Sequence, residues 1–319
     1  MEGSTVRKPA AATIGVFDGV HRGHQELLKR VAAAAEALDG VAVAVTFARH
    51  PLAVLHPERC PPPLTTVEER RALFEAHGIG QVIVLDFDLA MSRLGAREFL
   101  ESALLARHDL RLLVVGPDFA MGRNRSGDLA TLRALGAELG FALEVVEPVA
   151  GMGGRVSSTR LRTAIAAGQV EVARELTGRD YVLVGEVIPG HGRGRSLGFP
   201  TANVKVDEGK LVPADGVYAA LAVVVRPGES GVGAPAGRPA VVNIGLAPTF
   251  GDGERRVEVH LLGTETDLRG RRLAIRLVSR LRGERRFAGP GELRAQIAAD
   301  VAAARAALEG RPAAPSAAG

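Results

Sequence analysis

The chain has 319 residues, and this length favours two domains over one because a typical domain has ~100–200 residues. A net charge of +4 and an aromatic content of 4% argue against a nucleic-acid-binding surface, which usually shows a clustered basic face with interleaved aromatic residues. The single cysteine, Cys60, excludes a disulfide framework and a cysteine-based zinc site. Since no apolar run is long enough to span a bilayer, we expect a cytoplasmic protein. Its expected partners are small molecules, without nucleic acid or membrane, and weak homo-oligomerisation stays open.

The first half of the chain alternates between continuous apolar runs and helical patterns. The runs predict strands at 11–17, 41–47, 81–87, 110–115 and 142–146, and they are typical of strands buried on both faces. Apolar residues at helical spacing predict helices at 25–38, 65–77, 96–108 and 128–139. The second of these helices starts with Thr65-x-x-Glu68, a capping-box pattern. This alternation predicts a doubly wound, Rossmann-like α/β domain over residues 1–178.

After Gly178 the pattern changes to strands without helices between them. Strand-like segments lie at 181–188, 201–206, 216–225, 239–244, 255–262 and 272–281, separated by turns rich in glycine and proline. They predict a six-stranded antiparallel β-barrel over residues 179–310. A C-terminal helix is predicted at 289–308 from the spacing of Leu293, Ile297 and Val301, and residues 311–319 are predicted to be a disordered tail.

The string GVFDGVHRGH, residues 15–24, follows the first predicted strand and opens the first helix. Ligands of α/β sheets bind at the carboxyl ends of strands, and a helix N-terminus offers amides and partial positive charge to a phosphate. His21 and His24 are three residues apart and so project from one side of the first turn. The pattern predicts a polyphosphate site, although two surface histidines beside a turn are the structural alternative. The residues of the predicted site are Gly15, Phe17, Asp18, Gly19, His21, Gly23 and His24.

A second group of polar residues starts a helix after the fifth predicted strand. Ser157, Ser158 and Thr159 can cap that helix or bind phosphate oxygens, and Arg162 adds a bidentate positive charge. The residues alone leave both interpretations open. The histidine motif at the other end of the same predicted domain favours phosphate binding.

These two motifs, with TIGVFDGVHRGHQELL (13–28) and VVGPDFAMG (114–122), resemble the FMN adenylyltransferase module of bacterial bifunctional riboflavin kinase/FAD synthetases. The resemblance implies a nucleotidyltransferase domain in which the phosphate of FMN attacks the α-phosphorus of ATP, giving FAD and pyrophosphate. It implies that His21 and His24 act on the ATP phosphates, together with the hydroxyl residues and Arg162. It also implies an FMN side made of His50, Pro51, Asp118 and Phe119. The chain departs from the family near this side, at 48–49 and 120–121.

The string GEVIPGHGRGRSLGFPTAN, residues 185–203, is the second candidate site. Amides of a glycine-rich loop can surround phosphates, and no Walker A pattern is present. Thr201 and Asn203 lie two residues apart on one strand face, and their oxygens suit Mg²⁺. A glycine-rich β-turn with surface arginines is the structural alternative. The candidate ATP-binding residues are Gly190, Gly194, Arg195, Gly198, Phe199 and Pro200.

This string is similar to the riboflavin kinase signature, which binds ATP and magnesium, and the strings at 242–250 and 257–260 agree with the same family. The resemblance implies that Glu258 is the general base for the riboflavin 5′-hydroxyl. It further implies that Arg282 and Phe287 line the flavin pocket, with riboflavin, FMN and FAD as substrates or products. A surface ion pair with Arg255 or Arg256 is the structural alternative for Glu258.

Three other functions stay open at this point. The first is a different nucleotidyltransferase fused to a barrel, acting on pantetheine phosphate or nicotinate mononucleotide. The second is a non-catalytic regulator that binds flavin or nucleotide. The third is an active kinase with weakened adenylyl transfer, because Arg49 and Met121 stand where the family has other residues.

Overall fold

The computed structural model describes residues 7–151, 154–190, 198–207, 209–234, 237–246, 255–263 and 268–309. Its residues form two compact units, Met1–Val156 and Ser157–Gly319. Each unit has the architecture predicted from the sequence, which confirms the fold class. The predicted limits of the functional modules, with a boundary near Gly178, stay a prediction.

The first unit is built on a five-stranded parallel sheet with the strand order β3-β2-β1-β4-β5. Its strands are β1 (Pro9–Ile14), β2 (Val41–Phe47), β3 (Gln81–Leu85), β4 (Asp109–Val115) and β5 (Ala142–Val145). Its helices are α1 (Arg22–Ala37), α2 (Leu52–Leu55), α3 (Val67–Glu75), α4 (Ala96–Leu100) and α5 (Leu129–Leu139). The helix predicted at 96–108 continues beyond α4 as a π-helix, Glu101–Leu105, and a short hairpin pairs β6 (Ala150–Gly151) with β7 (Gly154–Arg155).

The core of this unit follows from the apolar runs. Along β1, Ala10, Ala11 and Ala12 are fully buried, as expected for a central strand covered on both faces. Helix α1 buries Leu28, Val31 and Ala35 at helical spacing. Small side chains on the central strand allow this close helix packing.

The predicted capping box is wrong by one residue. Thr66 caps α3, since its hydroxyl accepts from the amide of Glu69 while the Glu69 carboxylate accepts from the amide of Thr66. Thr65 is instead bonded to Asp18. A tertiary contact therefore takes the side chain that the local pattern had assigned to the cap.

The second unit contains a closed six-stranded antiparallel barrel with the order β10-β11-β12-β9-β8-β13. Its strands are β8 (Tyr181–Ile188), β9 (Ala202–Val206), β10 (Gly216–Val225), β11 (Arg238–Leu246), β12 (Arg255–Leu261) and β13 (Arg272–Arg282). Its helices are α6 (Ser158–Ala166), α7 (Val170–Thr177) and α8 (Pro290–Leu308). Helix α7 was not predicted; it ends at Gly178, whose φ of 73° is the left-handed conformation that suits glycine.

Residues of the barrel strands alternate between the interior and the outer face. Val257 and Val259 on β12 are buried in the interior, so Glu258 between them points outward. Helix α8 covers part of the outer face, where Ala304 packs with Val217 and Val241. In the part of the chain that the structure describes, no helix is long and apolar enough to cross a membrane.

Candidate active sites

The first candidate site lies at the carboxyl ends of the central strands of the parallel sheet. The 15–24 string follows β1, His50 and Pro51 follow β2, and Asp118 and Phe119 follow β4. The chain adds β2 and β3 on one side of β1 and later adds β4 and β5 on the other, which makes the ends of β1 and β4 a topological switch point. The sheet therefore brings the predicted phosphate-binding and FMN-side segments of this unit to one edge.

The loop between β1 and α1 has an unusual backbone. Phe17, Gly19 and Val20 have φ values of 52°, 81° and 36°, and such angles are uncommon for residues with a side chain. Packing holds this conformation, because the buried ring of Phe17 lies edge-on to Phe74 and to His24, with centroids 5.2 and 5.1 Å apart. Strained backbone held by its surroundings is a frequent feature of functional loops.

The two predicted histidines are stacked at the start of α1. Their ring centroids are 3.7 Å apart, with an interplanar angle of 14°. His21 is the N-cap, and its Nδ1 accepts a hydrogen bond from the amide of His24 at 3.3 Å. When His21 is neutral, its proton therefore lies on Nε2, and this N–H can donate to a phosphate oxygen. Gly23 keeps the turn open, because a Cβ there would stand 3.3 Å from the His21 ring.

Asp18 holds this loop against the segment that precedes α3. Its buried carboxylate accepts from the amides of Leu64 and Thr65 at 2.9 and 3.0 Å and from the hydroxyl of Thr65 at 3.1 Å. The Thr65 hydroxyl oxygen in turn accepts from the amide of Gly19 at 3.0 Å. The carboxylate thus stabilises the loop through backbone amides, a positioning role that the motif alone did not reveal.

The residues predicted for the FMN side differ in their exposure and in their contacts. Nδ1 of His50 accepts from the amide of Leu52 at 3.1 Å, and Pro51 directly precedes α2. Asp118 is exposed and forms an ion pair with Arg155, while Phe119 packs against the hydrophobic core. Met121, one of the departures from the family pattern, is also a core residue at 8% exposure.

The predicted Ser157–Arg162 group belongs to the second compact unit and starts α6. Ser157 is the N-cap, and its hydroxyl accepts from the amide of Arg160 at 3.2 Å. The capping interpretation therefore holds for Ser157. Phosphate binding by Ser157, Ser158, Thr159 and Arg162 stays a prediction.

The second candidate site is a row of polar residues across three barrel strands. Glu258 on β12 lies directly opposite Asn203 on β9 and Asn243 on β11. Directly opposed residues of antiparallel strands have Cβ atoms ~4.5–5.5 Å apart on the same face, so the three side chains form one outward row. Arg255 is bonded to Asp215 instead of Glu258, which removes one of the two ion pairs considered from the sequence.

Asn203 offers a neutral oxygen opposite Glu258, and the exposed Thr201, two residues earlier in the chain, offers a second one. Among the described residues no group of three or more His, Cys, Asp or Glu side chains could hold a metal ion. A small set of oxygen donors nevertheless fits Mg²⁺, which keeps several waters and shares its coordination with nucleotide phosphates.

Gly190 lies against the side chain of Asn203. A methyl group at this position would overlap the Asn203 amide nitrogen and stand 2.8 Å from its Cγ. Glycine is therefore required at 190 to leave Asn203 in place. The predicted ATP-binding residues Gly194 and Arg195 lie outside the described residues, whereas Gly198, Phe199 and Pro200 are part of the segment that leads into β9.

His260 is a functional candidate whose role the motif did not reveal. Its Nδ1 lies 2.7 Å from the carbonyl oxygen of Pro200, and its ring is edge-on to Phe199, with centroids 5.6 Å apart. Because His260 is two residues from Glu258 on β12, it links the predicted ATP-binding segment to the strand of the predicted base. The position of His260 within the matching string was the available signal.

Arg282 and Phe287 lie between the end of β13 and α8. Nε and Nη2 of Arg282 donate to the two carboxylate oxygens of Asp300 at 2.9 and 2.8 Å, and Gln296 donates to the same carboxylate. The Arg282 guanidinium also lies 5.8 Å from the centroid of the Phe287 ring. These contacts fix Phe287 beside α8 and leave the ring half-buried.

The first unit, a parallel α/β fold with paired histidines at a helix N-terminus, is nucleotidyltransferase-like. The second unit, a barrel with a row of carboxylate and amide side chains, is riboflavin-kinase-like. A family model described as FAD synthetase matches residues 4–160, and one described as riboflavin kinase matches residues 177–308.

Similar proteins cover nearly the whole chain. The bifunctional riboflavin kinase/FMN adenylyltransferase of Pseudomonas fluorescens is 40% identical over 296 residues, 92% of each chain. The protein of the same description from Escherichia coli K12 is 36% identical over 92% of this chain and 91% of its own. The chain belongs to the bifunctional riboflavin kinase/FMN adenylyltransferase family, which confirms the resemblance seen in the motifs. A solved structure from Streptococcus pneumoniae, described as a macrolide-efflux protein, is 29% identical with a TM-score of 0.82 and covers 93% of this chain and 94% of its own.

Proposed function

We propose that this chain phosphorylates riboflavin with ATP to give FMN, and then adenylylates FMN with a second ATP to give FAD and pyrophosphate. The observation that carries the proposal is the outward row in which Glu258 lies opposite Asn203 and Asn243, within a chain that matches both families. Another nucleotidyltransferase fused to a barrel would leave this row unexplained.

In the kinase reaction, Glu258 takes the proton of the riboflavin 5′-hydroxyl as that oxygen attacks the γ-phosphorus of ATP. The bond from the γ-phosphorus to the bridging oxygen breaks, and ADP leaves. A carboxylate on a rigid strand is suited to this step because its position relative to the hydroxyl is fixed. Thr201 and Asn203 would hold Mg²⁺, which supplies charge neutralisation on the phosphates when bound.

The remaining kinase residues bind substrate. Gly190, Gly194, Arg195, Gly198, Phe199 and Pro200 are proposed to bind ATP. His260 orients this segment through the carbonyl of Pro200. Phe287, supported by Arg282, is proposed to contact the flavin ring, since aromatic faces stack well on flat ligands.

In adenylyl transfer, a phosphate oxygen of FMN attacks the α-phosphorus of ATP and pyrophosphate leaves, without a covalent enzyme intermediate. Negative charge grows on the leaving pyrophosphate. The N–H groups of His21 and His24 and the N-terminus of α1 are proposed to stabilise it, since His21 is the N-cap of this helix. Ser158, Thr159 and Arg162 are proposed to bind ATP phosphates, and His50, Pro51, Asp118 and Phe119 to bind FMN.

Both reactions need only small-molecule substrates, and we propose the cytoplasm as their location because both consume ATP. Neither reaction requires a nucleic acid or membrane partner.

The proposal is tested by incubating the protein with Mg²⁺ and ATP, together with either riboflavin or FMN, and separating the products by chromatography. Full-length protein should form FMN and FAD from riboflavin, and FAD from FMN. Glu258→Gln should abolish FMN formation yet keep FAD formation from supplied FMN, with Glu186→Gln on β8 as the matched control. His24→Ala should show the reverse, with the exposed His56→Ala as its control. Absence of both products from the unaltered protein contradicts the proposal.

A further inference from the structure

Arg70 on α3 is a buried charged side chain that the two proposed reactions do not use. It is only 5% exposed. Burial lowers its pKa, and the nearby Asp18, Glu68 and Glu69 act in the opposite direction. Because an arginine removed from water is costly unless it is well bonded, its partners show what it is there to hold.

The partners of Arg70 lie directly beneath the loop between β1 and α1. Its Nη1 donates to the carbonyl of Val16 at 3.0 Å and to the hydroxyl oxygen of Thr46 at 2.7 Å. The Thr46 hydroxyl donates to the same Val16 carbonyl at 3.0 Å. The two side chains and the one carbonyl therefore form a closed triangle of hydrogen bonds inside the first unit.

The orientation of the Val16 carbonyl sets the peptide plane that leads into Phe17. Phe17 is the first residue of the loop with a left-handed φ, at 52°. A carbonyl held by two donors fixes where this unfavourable turn begins, and hence where His21 and His24 lie at the start of α1. The guanidinium also adds positive potential beneath a loop that is proposed to bind phosphates.

We propose that Thr46 and Arg70 are positioning residues for adenylyl transfer, which hold the loop after β1 in the conformation that binds the ATP phosphates. This inference rests on the proposed adenylyltransferase activity. Neither side chain contacts substrate in it; both act through the carbonyl of Val16.

The experiment uses the full-length protein and four variants: Thr46→Val, Thr46→Ser, Arg70→Lys and Arg70→Met. Valine keeps the shape of threonine without the hydroxyl, and serine keeps the hydroxyl without the methyl group. For FAD formation from FMN, Thr46→Val and Arg70→Met should lower kcat/KM for ATP about tenfold or more, mainly through KM, because a hydrogen bond to a charged group is lost. The kcat/KM of Thr46→Ser for ATP should stay within about twofold of the unaltered protein. Arg70→Lys should have an intermediate value, because lysine keeps the charge but lacks the planar guanidinium with its several N–H donors.

Riboflavin phosphorylation by the same preparations is the internal control and should be unchanged in all four variants. Arg71→Met, at the exposed neighbour of Arg70, is the matched surface control. An unchanged KM for ATP in Thr46→Val overturns the inference. It is also overturned if Thr46→Ser is as impaired as Thr46→Val, because that result would show that the methyl group acts through packing. If Arg70→Met does not fold, the Thr46 pair decides the question. Unaltered protein that forms no FAD from FMN overturns the proposed function itself, whereas active protein with insensitive variants overturns only this inference.

Discussion

Replacing Gly190 with alanine should disable the kinase reaction through Asn203. The new methyl group would overlap the Asn203 amide nitrogen and lie 2.8 Å from its Cγ, closer than real Cβ contacts come. The Asn203 backbone cannot retreat, because the residue is paired with Ile188 on one side and Glu258 on the other. The amide must therefore rotate out of its present position.

The cost of this rotation is small for stability and large for activity. A side chain forced ~30° from its rotamer loses about 0.5–1.5 kcal/mol, so the protein should still fold. A displacement of about 1 Å at a catalytic site can lower the rate on the order of 100-fold. We therefore expect kcat/KM for FMN formation to fall about 100-fold, while FAD formation from supplied FMN is unchanged.

Both reactions are followed by chromatography with riboflavin or FMN as the substrate. Gly291→Ala is the matched control, because a Cβ there meets no atom within 4 Å and the residue lies in the helix α8. In an Asn203→Ala background, Gly190→Ala should have no further effect, since the overlapping amide is gone. Unchanged FMN formation in Gly190→Ala, or an equal loss of both activities, would refute the reasoning.

Two further predictions concern the support of the barrel site. His260→Ala should raise the KM for ATP in FMN formation about tenfold, because the contact of Nδ1 with the Pro200 carbonyl is lost; an unchanged KM contradicts this role. Asp300→Asn should lower the free energy of unfolding by about 2–3 kcal/mol in urea titrations, because Arg282 loses a bidentate charged acceptor. The exposed Glu309→Gln is its control, and equal stabilities of the two variants would contradict the prediction.

The architecture was predictable because burial on both faces leaves a simple sequence pattern. β2 is found at the predicted residues 41–47, and β8 and β10 also have the predicted limits. β2 and β10 are almost entirely apolar, and β8 is interrupted only by Gly185 and Glu186, so hydrophobic burial and backbone pairing favour the same segment. The predicted strand at 11–17 ends earlier, at Ile14, because Gly15 and the residues after it form the loop.

The side chains that hold the site residues in position were not predictable, because their roles depend on contacts between residues far apart in sequence. Asp18 had the sequence context of a phosphate loop, and only its bonds to Leu64 and Thr65 show its positioning role. The same contact displaced the capping box to Thr66. No local sequence pattern predicts that the guanidinium of Arg70 is buried. Strand register likewise follows from barrel closure, and this register places Glu258 opposite Asn203.

Both proposed sites must stabilise negative charge on phosphate groups, and they use different groups to do so because their folds differ. In the parallel unit, a helix begins directly after a strand, so the N-terminus of α1 supplies amides and partial positive charge beside His21. Antiparallel strands have almost no net dipole, and the Glu258 row even adds negative charge. The proposed Mg²⁺ would supply the positive charge that a phosphoryl group needs there, and the Asn203 oxygen beside a carboxylate is suited to hold it. Adenylyl transfer in the first unit should accordingly depend on the backbone conformation of one loop, and phosphorylation in the second on a few side-chain oxygens.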